Sequence, residues 1–494
     1  MKKLLLICLI GCSLSGCSKY IDDPDSSTVT TDMLFNSARD LDNLLYGAYG
    51  SLGNSITLAG NWRMFADVLA DQVTINQSEP TSTDPYTSLY NRQLASATYD
   101  NTYKEAYVAI QGANTVLYAI NKGLITQEKD PEFNELTRAR ITGEAYFVRG
   151  VAHFELVRLY GHQYGYQSTA ANSGIVLRTE PTLNVKGKAD LQAVSRATVA
   201  QVYQQVITDL TEAEKLMPTT ALRRGRATRS AAAAYLARVY FQQADYTNAL
   251  TYISKVIGST PGIIETEFKL IRNPATGTVN ATNANANAWA PFRTTGTSAK
   301  STENIFDVVS MASFPVHTVM NRKYYRSGIV YPHLAISNAF LGEANFATND
   351  GRKAGMMLTE NGLSFSKKYD LTNMNIPVIR SAEMLLDRAE IYALNGETAA
   401  ANADINLLRD RAIPSYNSNT VIAADQILFE VRRERVRELA FEGDRLHNLR
   451  RLQLDIPAGD RGTAAIPWNS NQLLFRFPAT EIVASGGSVV QNPD

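Results

Sequence analysis

Two aspartates one helical turn apart, Asp67 and Asp71 in NWRMFADVLADQV, are the first side chains whose spacing could do chemistry. Carboxylates at i and i+4 share a helix face, where they can exchange protons with a substrate or help hold calcium. More often such a pair marks a solvated face, and that reading is preferred here. The five histidines, His153, His162, His317, His333 and His447, make neither an i,i+4 pair nor an HExxH motif. His153 lies on a helical stripe and reads as a packed histidine rather than a metal ligand. No G-x-S-x-G elbow, phosphate loop or dinucleotide-binding glycine pattern occurs, so neither a metal nor a cofactor is expected. Glycoside hydrolysis needs two carboxylates about 5–10 Å apart across a cleft, a geometry that sequence leaves open.

Capture of a sugar without cleavage asks for something simpler. Pyranose rings offer apolar C–H faces and many hydroxyls, so a site wants aromatic platforms flanked by amides and charged groups, carried on loops. The chain has three tryptophans, Trp62, Trp289 and Trp468. Trp289 stands in TGTVNATNANANAWAPFRTTGTSAK, a polar stretch poor in apolar anchors, and is the first candidate platform. Trp62, with Asn61 and Arg63 beside it, is the second, and Tyr86 and Tyr90 in DPYTSLYNRQ follow. The alternative for each is an aromatic that pins its own loop to the core.

Positioning such loops falls to helices. Residues 32–50, about 102–122, 141–165 and 199–217 carry apolar side chains at helical spacing, the last stopped by Pro218. Leu236, Ala237, Tyr240, Ala249, Ile253 and Val256 fall at offsets 0, 1, 4, 13, 17 and 20. Arg388, Ala389, Tyr392, Ala401, Ile405 and Leu408 repeat those offsets. Small residues at these places let two antiparallel helices approach closely, as in a tetratricopeptide pair, with Asn395-Gly396 as the turn of the second copy. Arg388 departs from the apolar preference. The distance between the copies predicts helix pairs separated by insertions rather than a continuous solenoid. The stretch 376–412 is read as the two helices of that second pair, and 427–451 as a charged helix broken at Gly443. Its Arg432, Arg433, Glu434, Arg435, Arg437 and Glu438 read first as a solvated face with local ion pairs. Between the copies, the polar stretch around Trp289 reads as a long loop, and about 312–375 as loops with short strands. The expected fold is mostly α, tetratricopeptide-like helix pairs with a loop-rich lobe and a few short strands.

The start of the chain is a signal. Lys2 and Lys3 precede LLLICLIG, an apolar run too short to span a bilayer, and Leu14-Ser15-Gly16-Cys17 matches a lipobox. Residues 1–16 are expected to be removed, Cys17 to be lipidated, and 17–31 to form a tether. The other two cysteines, Cys8 and Cys12, leave with the signal, so disulfides and cysteine chemistry are excluded from the mature chain. Its 48 basic and 48 acidic residues, less two lysines, leave a charge near −2. That gives no basic field for nucleic acid.

The segments PVIRSAEMLLDRAE, INLLRDRA and RRERVRELAFEGDRLHNLRR together resemble the C-terminal signature of the SusD/RagB family. ARITGEAYFVRGVAHFELVRLYGHQYG is a second match, and the likeness weakens across 260–370. Members are surface lipoproteins of Bacteroidetes that capture glycans, or in some cases peptides, for a TonB-dependent transporter. The resemblance implies one SusD-like domain over 32–494, with an N-terminal part to about 260 and a C-terminal part from about 261. It also implies a SusC-like partner, a lipid anchor in the outer membrane facing the exterior, and binding without catalysis. A peptide-capturing RagB-like protein is the alternative, and a glycan hydrolase a more distant one. In the starch-binding member the contacts come from the early loop region and the middle insertion, which is where Trp62, Tyr86, Tyr90 and Trp289 lie.

Overall fold

The computed structural model describes residues 35–76, 85–94, 96–182, 194–271, 290–296, 300–310, 318–325, 333–371 and 373–493. The signal segment, Cys17, the tether, His317 and Trp289 lie outside the described residues.

Helices dominate the first half: α1 (Ala38–Leu52), α2 (Asn61–Leu69), α3 (Pro85–Tyr90), α4 (Ser96–Asn121), α5 (Glu135–Tyr160), α6 (Val199–Leu216), α7 (Arg229–Gln242) and α8 (Tyr246–Ile257). One short strand, β1 (Val73–Ile75), follows α2. Local chemistry sets several starts. Ser37 and Asp40 close a capping box on α1, Thr198 and Gln201 another on α6, and Asn134 caps α5. Leu41, Leu45, Ala48 and Leu52 then line the buried face of α1.

The second half begins with β2 (Asn304–Val308), α9 (Thr318–Tyr324), β3 (Leu334–Ile336), α10 (Asn338–Ala344) and α11 (Gly351–Met356). A hairpin, β4 (Met357–Glu360) and β5 (Leu363–Ser366), turns at Asn361-Gly362, both with positive φ. Next come β6 (Ile376–Arg380), α12 (Ser381–Leu394), α13 (Thr398–Ala412), α14 (Ile427–Glu438), α15 (Arg445–Arg451) and α16 (Ala479–Ala484). Two further antiparallel pairs join distant segments: Val73 faces Ile336 in β1–β3, and Asn304 faces Arg380 in β2–β6. The helical start expected at 376 is therefore a strand: Ile376–Arg380 pairs with β2, and the helix begins at Ser381.

The two copies of the repeat are helix pairs α7–α8 and α12–α13. Insertions separate them in sequence, as expected, yet in space they stack directly, α8 against α12. Behind them α6 packs on α7, α5 on α6 and α4 on α5, so consecutive helices form one layered array. All six marked side chains of the second copy are buried. The charged exception explains itself. Arg388 is fully buried, meets Asp404 at 2.7 and 2.8 Å, and donates to the carbonyl of Gly258 just beyond α8 at 2.7 Å. It ties the second pair to the end of the first.

The charged helix α14 is not a solvated face, which corrects the expectation. Glu434, Arg435, Arg437 and Glu438 are buried in an ionic lattice. Glu438 meets Arg411 at 2.6 Å, with Arg380 and Arg352 both at 3.1 Å. Glu303, at the foot of β2, receives Arg411 at 2.7 Å and also Arg380. Glu442 holds Arg380 at 2.6 Å and Lys368 at 2.7 Å. Burial pushes the Glu434 carboxyl up, but Arg352, Arg409 and Arg437 outweigh it and hold it at about 2. The lattice thus clamps β2, β6, α11, α13 and α14 together.

Candidate functional site

Antiparallel pairing of β1 with β3 brings the early loop region beside the middle insertion. Asn76 N–H donates to the His333 carbonyl at 2.9 Å where the two strands part. Over this end lies α3, whose Thr87 hydroxyl is 3.4 Å from His333 Nε2. Tyr86 O–H donates to Asn61 Oδ1 at 2.7 Å, and Lys323 Nζ of α9 stands 4.8 Å from the centre of the Tyr86 ring. Asn61 opens α2 directly after Gly60, where a Cβ would run into the Ser55 carbonyl, so the turn closes only on glycine. Asn61, Tyr86, Thr87, Lys323 and His333 therefore form one polar-aromatic rim, in which Asn61, Thr87 and Lys323 are partly exposed while Tyr86 and His333 are buried.

The candidates from sequence divide here. Asn61, Tyr86 and Tyr90 come together, with the Tyr90 hydroxyl 3.3 Å from Thr74 Oγ1 and the Arg461 guanidinium 4.2 Å from its ring centre. Their rings are largely covered, 5% exposed for Tyr86 and 7% for Tyr90, so they pin α3 to the core rather than offering open platforms. Trp62 and Arg63 turn away, because each helical residue rotates about 100° from the last. Trp62 is 2% exposed and cannot act as a surface platform, which corrects that expectation. Arg63 is buried and donates to the Val378 carbonyl at 3.1 Å. Lys323, Thr87 and His333 carried no signal in sequence, since the β1–β3 pairing and the Tyr324–Asp67 bond, both between segments far apart in the chain, create their proximity.

The aspartate pair also proves internal, against the preferred reading of a solvated face. Asp71 takes two hydrogen bonds from Arg445, at 2.9 and 2.8 Å. Asp67 is fully buried, accepting from Tyr324 O–H at 2.8 Å and Gly443 N–H at 3.0 Å. These bonds anchor α9, and with it Lys323, from below. His153 is buried, and burial followed by the charge of Arg149 pushes its imidazole down to about 3. Among the described residues no cluster of His, Cys, Asp and Glu has the arrangement of a metal site.

Burial raises the Asp67 carboxyl to about 7, only partly offset by the Tyr324 and Gly443 hydrogen bonds. An acid raised on folding favours the folded state while protonated. Its contribution is full below the ordinary value of 3.8 and is lost as pH rises towards about 7. Asp67→Asn keeps a partner for each bond, and is expected to flatten that decline by up to about 1.4 kcal/mol per pH unit. Denaturant titrations of both proteins between about pH 5 and pH 7 measure it. Equal slopes would mean that Asp67 ionises freely in the fold.

This helix-pair array, with its loop-borne rim and clamped signature helix, is the architecture of a SusD-type protein. The chain belongs to the SusD/RagB family: residues 19–241 match the model described as starch-binding and associating with the outer membrane, and 342–473 match the SusD family model. It is 25% identical to SusD-like protein P2 of Formosa agariphila, over 99% of this chain and 98% of that one. A SusD superfamily protein from Bacteroides thetaiotaomicron shares the fold with a TM-score of 0.76 at 22% identity, covering 93% of this chain and 100% of that one. A structure described as a laminarin binding SusD-like protein superposes with a TM-score of 0.68 at 19% identity, covering 93% and 100%.

Proposed function

We propose that the mature chain is a non-catalytic lipoprotein that binds an oligosaccharide or polysaccharide and delivers it to a TonB-dependent outer-membrane transporter. The observation that carries this reading is the meeting of the early loop region and the middle insertion at the rim of Asn61, Tyr86, Thr87, Lys323 and His333. Sugar hydroxyls suit the partly exposed Asn61, Thr87 and Lys323, and Trp289, which belongs by sequence to the middle insertion, would supply the apolar face. The family's description as starch-binding and the laminarin-binding neighbour support the ligand class. Residues 1–16 would be the signal and 17–31 the tether, with Cys17 carrying the lipid that holds 32–494 at the cell exterior. No helix among the described residues is long and apolar enough to cross a membrane. Lipid at Cys17 would therefore do the anchoring.

Affinity electrophoresis of soluble 18–494 through plant, host and microbial polysaccharides, with released sugars assayed in parallel, tests this. Retardation by one polymer without release is the expected result. Release of sugars would overturn the non-catalytic reading. Indifference to every polymer would overturn the glycan reading in favour of peptide capture.

A further inference from the structure

Behind the rim, on the inward side of α2, is a cavity of about 50 Å³ between α2, α5, α7, β6 and the turn that follows α14. A water in the liquid takes about 30 Å³, so the space suits one or two small occupants. The polar atoms on its walls with no protein hydrogen bond include Arg158 Nε and Arg451 Nε, on guanidiniums already paired with carboxylates, and three more, Trp62 Nε1, Arg63 Nη1 and Glu155 Oε1. All three residues are more than nine-tenths buried, where an unmet N–H or carboxylate oxygen costs about 1–3 kcal/mol. Something held in the cavity would meet them.

The charges on the walls say what. Arg238 is paired with Glu383 at 2.7 Å, Arg435 with Asp444 at 2.6 Å, Arg451 with Glu390 at 2.9 Å, and Arg158 with Glu155. Among the described residues Arg63 is the lining cation without a carboxylate in ion-pair range. Its Nη2 and the Arg238 guanidinium converge on one oxygen, the Val378 carbonyl, at 3.1 and 2.9 Å. The nearest acid on its own helix, Asp67, is already held by Tyr324 and Gly443. His447, also in the wall, adds no further positive charge: burial, then Arg158, Arg450 and Arg238, keep its imidazole neutral.

The unmet N–H donors of Trp62 and Arg63, the latter on a guanidinium that feels the Glu442 carboxylate in the same wall but has no ion pair with it, describe a site for a small anion. We propose that this cavity binds one monovalent halide, chloride, through Arg63 Nη1–H and Trp62 Nε1–H, with a water between it and Glu155 Oε1. The ion would neutralise Arg63 and join α2 to β6 and to the turn at Gly443. It would thereby brace from within the helix that presents Asn61 to the rim. Binding to the folded state alone makes stability depend on the anion's concentration.

Crystals grown in sodium bromide, measured at the bromine absorption edge, test the site directly. One anomalous peak within hydrogen-bond distance of Arg63 Nη1 and Trp62 Nε1 is expected. Water alone in the cavity would overturn the proposal. In solution, the unfolding temperature should be a few degrees higher in sodium chloride than in sodium gluconate of equal ionic strength. Arg63→Met should abolish both the peak and the difference. Should that variant not fold, Trp62→Phe removes one donor at nearly constant volume and should weaken both. A chloride effect unchanged in the variant that folds would place the anion elsewhere and overturn the assignment.

Discussion

Glu438→Ala is expected to destabilise the folded chain by about 3–5 kcal/mol, because it strips the shared partner from three buried guanidiniums. Arg411, Arg380 and Arg352 lie within 2.6–3.1 Å of this one carboxylate, and each is 2% exposed or less. Burial alone would raise the Glu438 carboxyl; the three arginines instead hold it well below its ordinary value. Removing it leaves positive charges facing one another in a space with little water. Urea denaturation at neutral pH measures the loss, with Asp425→Ala as a control at an exposed position ahead of the same helix. That control should stay within about 0.5 kcal/mol of the parent. A Glu438→Ala loss below about 1 kcal/mol would mean that the lattice is hydrated and contributes little.

Backbone close approach gives the second large effect. Gly443 and Gly396 both have φ of +79°, so alanine at either pays the left-handed conformation, about 1–2 kcal/mol. Gly396 has open space around it, and Gly396→Ala should cost no more than that. At Gly443 a Cβ would lie 2.7 Å from Arg63 Cα and 3.0 Å from Arg63 Cβ. Backbone cannot swing aside as a side-chain tip can. Gly443→Ala should therefore cost about 4 kcal/mol or more, at the edge of what a single substitution does. It would also disturb the N–H that Asp67 accepts. Unfolding temperatures of the two variants compare them, and equal losses would remove the close contact from the account.

Much of this was legible from local pattern. The offsets shared by Leu236–Val256 and Arg388–Leu408 identified both helix pairs, because close helix packing constrains small and apolar residues at fixed spacing. Charge was misread for a physical reason. On α14 the i,i+3 neighbours look sufficient for one another, and nothing nearby announces that Arg411 will meet Glu303, 108 residues away. Asp71 likewise finds Arg445 across 374 residues. A buried ion pair is visible only when both halves are placed. The candidate site followed the same rule. Asn61, Tyr86 and Tyr90 could be picked by residue type, but Trp62 and Arg63 beside them face inward. His333 joins the rim through the β1–β3 pairing, and Lys323 through the Tyr324–Asp67 bond that holds α9.

The most direct test of glycan capture is calorimetric titration of 18–494 with an oligosaccharide of whichever polymer retards it, followed by mass analysis of the sugar recovered. Saturable binding is predicted, with the ligand returned at its original length. Asn61→Ala and Trp289→Ala should each weaken binding by about tenfold or more, the loss of roughly 1.4 kcal/mol of contact, with unfolding temperature little changed. Shortened ligand, or undiminished affinity in both variants, would contradict the account.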